Sequence, residues 1–140
     1  MYYALHAATQ HVPLLNVMEY SKIMDVIMWN EPTKEVLEAI PSLYSTEKIP
    51  LKEKTIYEHF FIGGCDWYVT EYDPEDQLFF GFAILNNDLE MAEWGYIGFE
   101  ELVALKVTFL EVDRDLHFSP TKAKNIDKIC EAQGWLEAKV

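Results

Sequence analysis

Four strand-like segments lie between residues 55 and 98, separated by very short spacers. TIYEHFFI (55–62) is followed by GG (63–64), WYVTEY (67–72) by DPED (73–76), and QLFFGFAIL (77–85) by NND (86–88). AEWGYIG closes the series at 92–98. The segments are rich in aromatic and β-branched residues, which fit a pleated, half-buried surface. Parallel neighbours need a long crossover, so spacers this short predict antiparallel pairing. The DPED turn has a local cause: Asp73 can bond its own backbone and Pro74 presets φ. QLFFGFAIL is apolar on both faces and is predicted to be the central strand.

Helical signals flank this block. Residues 14–29, LLNVMEYSKIMDVIMW, carry only a narrow polar stripe of Glu19, Lys22 and Asp25, so a helix here is buried or meets a partner. Residues 33–40 predict a short helix with Thr33 as N-cap, stopped by Pro41. FEELVAL (99–105) predicts another, with Glu100 and Glu101 in its first turn. Ser119 and Pro120 read as N-cap and N1 of a last helix ended by Gly134, spanning 120–133. The expectation is an α+β fold: a single antiparallel sheet of about five strands, with helices at the N-terminus, before the last strand and at the C-terminus. At 140 residues the chain is expected to be one domain (1–140), with an apolar extension over 1–30.

The charge is lopsided. There are 24 acids against 11 bases, a formal net charge of −13. Between Lys54 and Lys106 there is no Lys or Arg, yet the window holds Glu58, Asp66, Glu71, Asp73, Glu75, Asp76, Asp88, Glu90, Glu93, Glu100 and Glu101. Such a surface repels phosphates, which argues against direct nucleic acid binding. It suits a protein partner with a basic surface. Lys34, Lys48, Lys52 and Lys54 predict one basic shoulder beside it. Trp67, Tyr68, Tyr72, Phe79, Phe80, Phe82, Trp94 and Tyr96 read as sheet core, since a base-stacking platform normally comes with basic residues. No apolar run reaches the roughly 18 residues of a membrane span, and the N-terminus lacks the pattern of a signal peptide. Cys65 and Cys130 show no metal or redox spacing and read as free thiols of a cytoplasmic protein.

The fifth strand is LEVDRDLHF (110–118). Its alternation places Leu110, Val112, Leu116 and Phe118 on one face, and Glu111, Asp113, Asp115 and His117 on the other. Asp113, Asp115 and His117 then share a face, a set that suits a divalent metal, with His59 as a further ligand. Arg114, the one arginine in the chain, falls in the apolar phase and needs a carboxylate partner from another strand. Glu71 is the predicted partner, with Glu58 as the alternative. There is no Gly-rich phosphate loop, HExxH, CxxC or nucleophile elbow, and no motif implies a cofactor.

"LYSTEKIPLKEK", "WYVTEYDPED", "LFFGFAIL", "EWGYI" and "EVDRDLHFSP" follow one another in an order that resembles a bacterial family of small domains of unknown function. The resemblance runs from about Thr33 to Pro120. It is carried by Trp67, Tyr68, Glu71, Asp73, Gly81, Gly95, Tyr96, Arg114, Asp115, Leu116 and His117. It implies a domain carried by phages, conjugative plasmids and other mobile elements, and no known reaction. The first thirty residues depart from the pattern.

Three functions compete. The first is a non-enzymatic acidic interaction protein of a phage or mobile element, inhibiting a host defence or nucleic-acid-handling complex by phosphate mimicry. Asp66, Glu71, Asp73, Glu75, Asp76, Asp88, Glu90 and Glu93 would form its contact surface. The second is a divalent-metal enzyme using Asp113, Asp115 and His117. The third is a structural or regulatory subunit that forms a homodimer through residues 14–29.

Overall fold

The structure is a computed structural model that describes residues 31–107 and 110–135. Its elements in chain order are α1 (Lys34–Glu38), β1 (Thr55–Ile56), β2 (Glu58–Ile62), β3 (Cys65–Asp73), β4 (Leu78–Ile84), β5 (Glu93–Gly98), α2 (Phe99–Ala104), β6 (Lys106–Val107), β7 (Leu110–Glu111), β8 (Asp113–Arg114), β9 (Thr121–Lys122) and α3 (Asp127–Gln133). The main sheet has the order β5-β4-β3-β2-β8 and is antiparallel throughout. This is the α+β arrangement expected from the sequence. Two short antiparallel pairings, β1 with β9 and β6 with β7, stand apart from it. The predicted helix over 14–29, and the homodimer contact assigned to it, lie outside the described residues.

The predicted turns form by their local chemistry. Asp73 Oδ1 accepts the Glu75 N–H at 3.1 Å. Gly63 takes φ +53° between the paired residues Ile62 and Cys65, a conformation other residues rarely adopt. Asn86 and Asn87 hold positive φ after β4, which asparagine tolerates better than most residues. Thr33 Oγ1 accepts the Val36 N–H at 3.3 Å and caps α1.

The central strand is β3, not the segment 77–85. Seven consecutive residues of β3, from Asp66 to Tyr72, are buried. Its polar residues Thr70 and Glu71 disguised it, because both find partners inside; Thr70 Oγ1, for one, donates to Thr55 O at 2.8 Å. The β3–β4 ladder also slips between Val69 and Glu71. This bulge turns Glu71 to the face opposite Val69. Gly81 lies against it, where a Cβ would sit 2.1 Å from the Tyr68 carbonyl oxygen.

Both faces of the sheet are covered. On the first, Phe60, Val69, Tyr72, Phe79 and Ile97 pack with Ile40, Phe99, Leu102 and Val112. On the second, Tyr68, Phe82 and Ile84 pack with Ile56, Ala123 and Ile129. The C-terminal helix covers 127–133 rather than 120–133. Thr121 and Lys122 instead pair with Ile56 and Thr55, so tertiary pairing overrides the Ser-Pro start signal. Gly134 ends α3 at φ +71°, as expected. Cys65 and Cys130 are free. No helix among the described residues is long and apolar enough to cross a membrane.

Candidate functional site

The segment 110–118 does not run as one strand. β8 ends at Arg114, and Asp115 turns the chain: its Oδ1 accepts the His117 N–H at 3.0 Å and its carbonyl accepts the Phe118 N–H at 3.2 Å. The predicted single apolar face therefore breaks up. Val112 enters the first core layer, Phe118 packs on the second, and Leu116 is exposed.

The turn delivers Asp115 to His59. β2 points His59 to the second face, where its ring stacks on Tyr68 with centroids 4.4 Å apart and planes 8° from parallel. His59 Nδ1 lies 3.2 Å from Asp115 Oδ2, and Nε2 lies 2.7 Å from Asp66 Oδ1. Asp66 is buried and takes Lys128 Nζ on its other oxygen at 2.9 Å. Burial alone works against the Asp66 charge, but hydrogen bonds from His59 and Lys128 outweigh it and hold the carboxyl below its ordinary range. The chain Asp115–His59–Asp66–Lys128 thus ties β2, β3, the 115–118 turn and α3 together.

These residues line a cleft of about 500 Å³ with Arg114, Asp113 and His117. Among the described residues, no serine, threonine or cysteine lines it. Both His59 nitrogens are engaged by carboxylates. The structure does not bring Asp113, Asp115 and His117 together as a ligand set. Asp113 Oδ1 accepts the Arg114 N–H at 2.8 Å, Asp115 is turned to His59, and exposed His117 sits in the turn rather than on the strand. Among the described residues, no three His, Cys, Asp or Glu side chains are placed to hold a metal.

Arg114 meets Glu58, with Nη1 3.7 Å from Oε1, and not Glu71. The register explains the correction. Arg114 opposes Phe60, so it shares the first face with Glu58, while the bulge sends Glu71 to the second. Burial raises the Glu58 pKa, with Arg114 opposing the shift and Asp115 adding to it.

Glu71 instead holds the segment between α1 and β1. Its Oε1 accepts the Tyr44 N–H at 2.8 Å, and its Oε2 accepts the Thr46 N–H at 3.1 Å and the Thr46 hydroxyl. Lys54 Nζ lies 4.0 Å from Oε2 and donates to Thr46 O and Oγ1. Lys54 is therefore buried and not part of a basic shoulder. Tyr44 is held at φ +68°, a conformation costing on the order of 1–3 kcal/mol for a non-glycine residue. Sequence spacing alone missed this arrangement, although Tyr44, Thr46 and Glu71 all belong to the motifs quoted above.

The family described as "Protein of unknown function (DUF2958)" matches residues 55–130, more than half of the chain. The chain belongs to this family. No curated protein and no solved structure matches it. The DUF2958 match takes in the whole main sheet and His59, Asp66, Arg114, Asp115 and Lys128. It begins after Tyr44 and Thr46.

The eight acidic residues predicted as a contact surface of this DUF2958 chain fall into three groups. Asp66 and Glu71 are buried in ion pairs and leave the predicted contact surface. Asp73 ends β3, and Glu75 and Asp76 lie exposed in the β3–β4 turn. Asp88 and Glu90 lie exposed in the β4–β5 connection and Glu93 is exposed at the start of β5, at the other end of β4. The two surface groups are separated by the length of that strand, roughly 20 Å.

Proposed function

We propose that this DUF2958 chain is a non-enzymatic acidic interaction protein of a phage or mobile element, acting in the bacterial cytoplasm. Its partner is a protein with a basic surface, of the host-defence or nucleic-acid-handling kind. The exposed carboxylates occupy a groove on that partner that otherwise takes phosphates. One observation carries this reading: Glu75, Asp76, Asp88, Glu90, Glu93, Glu100 and Glu101 are exposed in a stretch that contains no Lys or Arg. In the His59 cleft, by contrast, Asp115, His59, Asp66 and Lys128 are bound to one another. Opposed surface potentials speed encounter and fix orientation.

The test is affinity capture from a bacterial lysate followed by competition. A captured nucleic-acid-handling protein should be released by moderate salt and by added duplex DNA. Neutralising Glu75, Asp76, Glu90 and Glu93 together should weaken its capture. A captured partner indifferent to salt, DNA and these substitutions refutes phosphate mimicry.

A further inference from the structure

Tyr44 is an unusual residue for its place. It lies in a turn, at a left-handed φ that glycine or asparagine adopts with less strain, and its side chain is 62% exposed. Buried Glu71 grips its backbone N–H and so fixes it there. Backbone strain of this kind gathers at functional sites, where surrounding structure over-determines it. What the strain achieves here is a particular placement of the Tyr44 ring.

That ring stands over the second face of the sheet at β5. The Tyr44 and Tyr96 centroids are 6.5 Å apart with planes at 65°, and their hydroxyl oxygens lie 3.5 Å apart. Tyr96 meets Phe80 edge-on in turn, at 5.4 Å and 62°. The three rings, with Leu51, wall a hollow of about 270 Å³. Tyr96 is 55% exposed on β5, which among the described residues pairs only with β4 and so forms an edge of the sheet. Three charged groups line the hollow. Glu71 and Lys54 lie at its floor and balance each other. Glu47 is exposed at its rim.

We infer that the Tyr44–Tyr96–Phe80 hollow receives an arginine side chain of the basic protein partner. The inference rests on the acidic-interaction reading above and gives it an anchor point. Aromatic faces attract cations through the ring quadrupole, and a planar, weakly hydrated guanidinium also stacks on them. Glu47 supplies a local carboxylate, and the cation-free stretch of 55–105 supplies a favourable field. A phosphate or a nucleobase phosphoester would meet repulsion at the same rim. Buried aromatic and arginine pairs are the usual anchors of protein interfaces, while rim charges chiefly steer.

The full chain, labelled with ¹⁵N, is titrated with the peptide acetyl-Gly-Arg-Gly-amide and with its uncharged citrulline counterpart. The arginine peptide should give saturable amide shifts at Tyr44, Glu47, Phe80 and Tyr96, and the citrulline peptide should give none there. Tyr96→Ala should weaken binding about fivefold and Tyr96→Phe by less than about twofold, because the ring face carries the attraction. Tyr44→Asn should weaken binding while keeping or raising Tm, since asparagine accepts the backbone conformation. Equal shifts with both peptides, or no saturable shift at the hollow, overturn the inference. Shifts confined to the 73–76 and 88–93 turns overturn it too, yet leave the acidic reading standing. If no basic protein is captured in the lysate experiment, the acidic reading itself falls.

Discussion

His59 Nε2 lies 2.7 Å from Oδ1 of Asp66, a carboxylate only 4% exposed. The contact joins the paired strands β2 and β3, and Lys128 on α3 completes it from the second face. Because His59 and Lys128 hold the Asp66 pKa below its ordinary 3.8, folding favours the ionised form. That contribution is fully present above the unfolded value and is lost as pH falls through the folded one. Asp66→Asn should therefore lower stability at neutral pH by about 2 kcal/mol. Its deficit relative to the parent should shrink as the pH is taken below about 4. Urea denaturation of both proteins at several pH values measures this, and a deficit independent of pH would show that the Asp66 charge is not the cause.

Glu71 and Glu58 should respond differently to the same change. Glu71→Gln puts an amide NH₂ against donors from which it cannot accept, since the Tyr44 and Thr46 N–H groups both point at the carboxylate, with Lys54 Nζ 4.0 Å away. A loss of about 3 kcal/mol is expected. Glu58→Gln removes an ion pair whose desolvation already outweighs the attraction of Arg114, so its effect should stay within about 1 kcal/mol. Chemical denaturation of the two variants side by side decides the matter.

Gly81→Ala tests the bulge. The added Cβ would sit 2.1 Å from a backbone oxygen, and no flexible side chain can yield to it. The β3–β4 ladder must shift, at a loss of about 3 kcal/mol or more. Gly95→Ala is the control, because among the described residues no atom beyond its own and its two chain neighbours' lies within 4 Å of its Cβ position. Thermal melts of the two should differ clearly, and equal melts would count against the bulge.

The sequence showed what local chemistry decides. The segments 67–72, 77–85 and 92–98 match β3, β4 and β5 closely, because alternation, aromatic content and the DPED turn act within a few residues. It failed where distant pairing decides. Parity along β3 places Glu71 with Val69, and only the ladder beside Gly81 shows the slip that sends it to Tyr44 and Lys54. Asp115 sits in the predicted metal row, but its own side-chain turn carries His117 away from it and leaves it facing His59. Ser119 and Pro120 carry a sound helix-start signal, which the β1–β9 pairing overrules. His59 was visible as a neighbour of the site. Asp66 was not, because its role depends on the strand register and on Lys128, far along the chain.

The exposed acidic turns should be separable from the fold. Asp73→Asn keeps the side-chain oxygen that accepts the Glu75 N–H, so the turn survives the loss of charge. Glu75 and Asp76 are exposed, and neutralising all three residues should change stability by no more than about 0.5 kcal/mol per site. The same holds for Glu90→Gln and Glu93→Gln at the other end of β4. Binding to a basic partner should behave in the opposite way. Each turn neutralised should weaken association and flatten its dependence on ionic strength, chiefly through the on-rate. Stopped-flow association across a salt series reads both quantities. If both turns contact the partner, their effects on the salt dependence should add, since the strand between them holds them roughly 20 Å apart, beyond the screening length at physiological salt. An effect from only one turn would confine the contact to that end of the sheet.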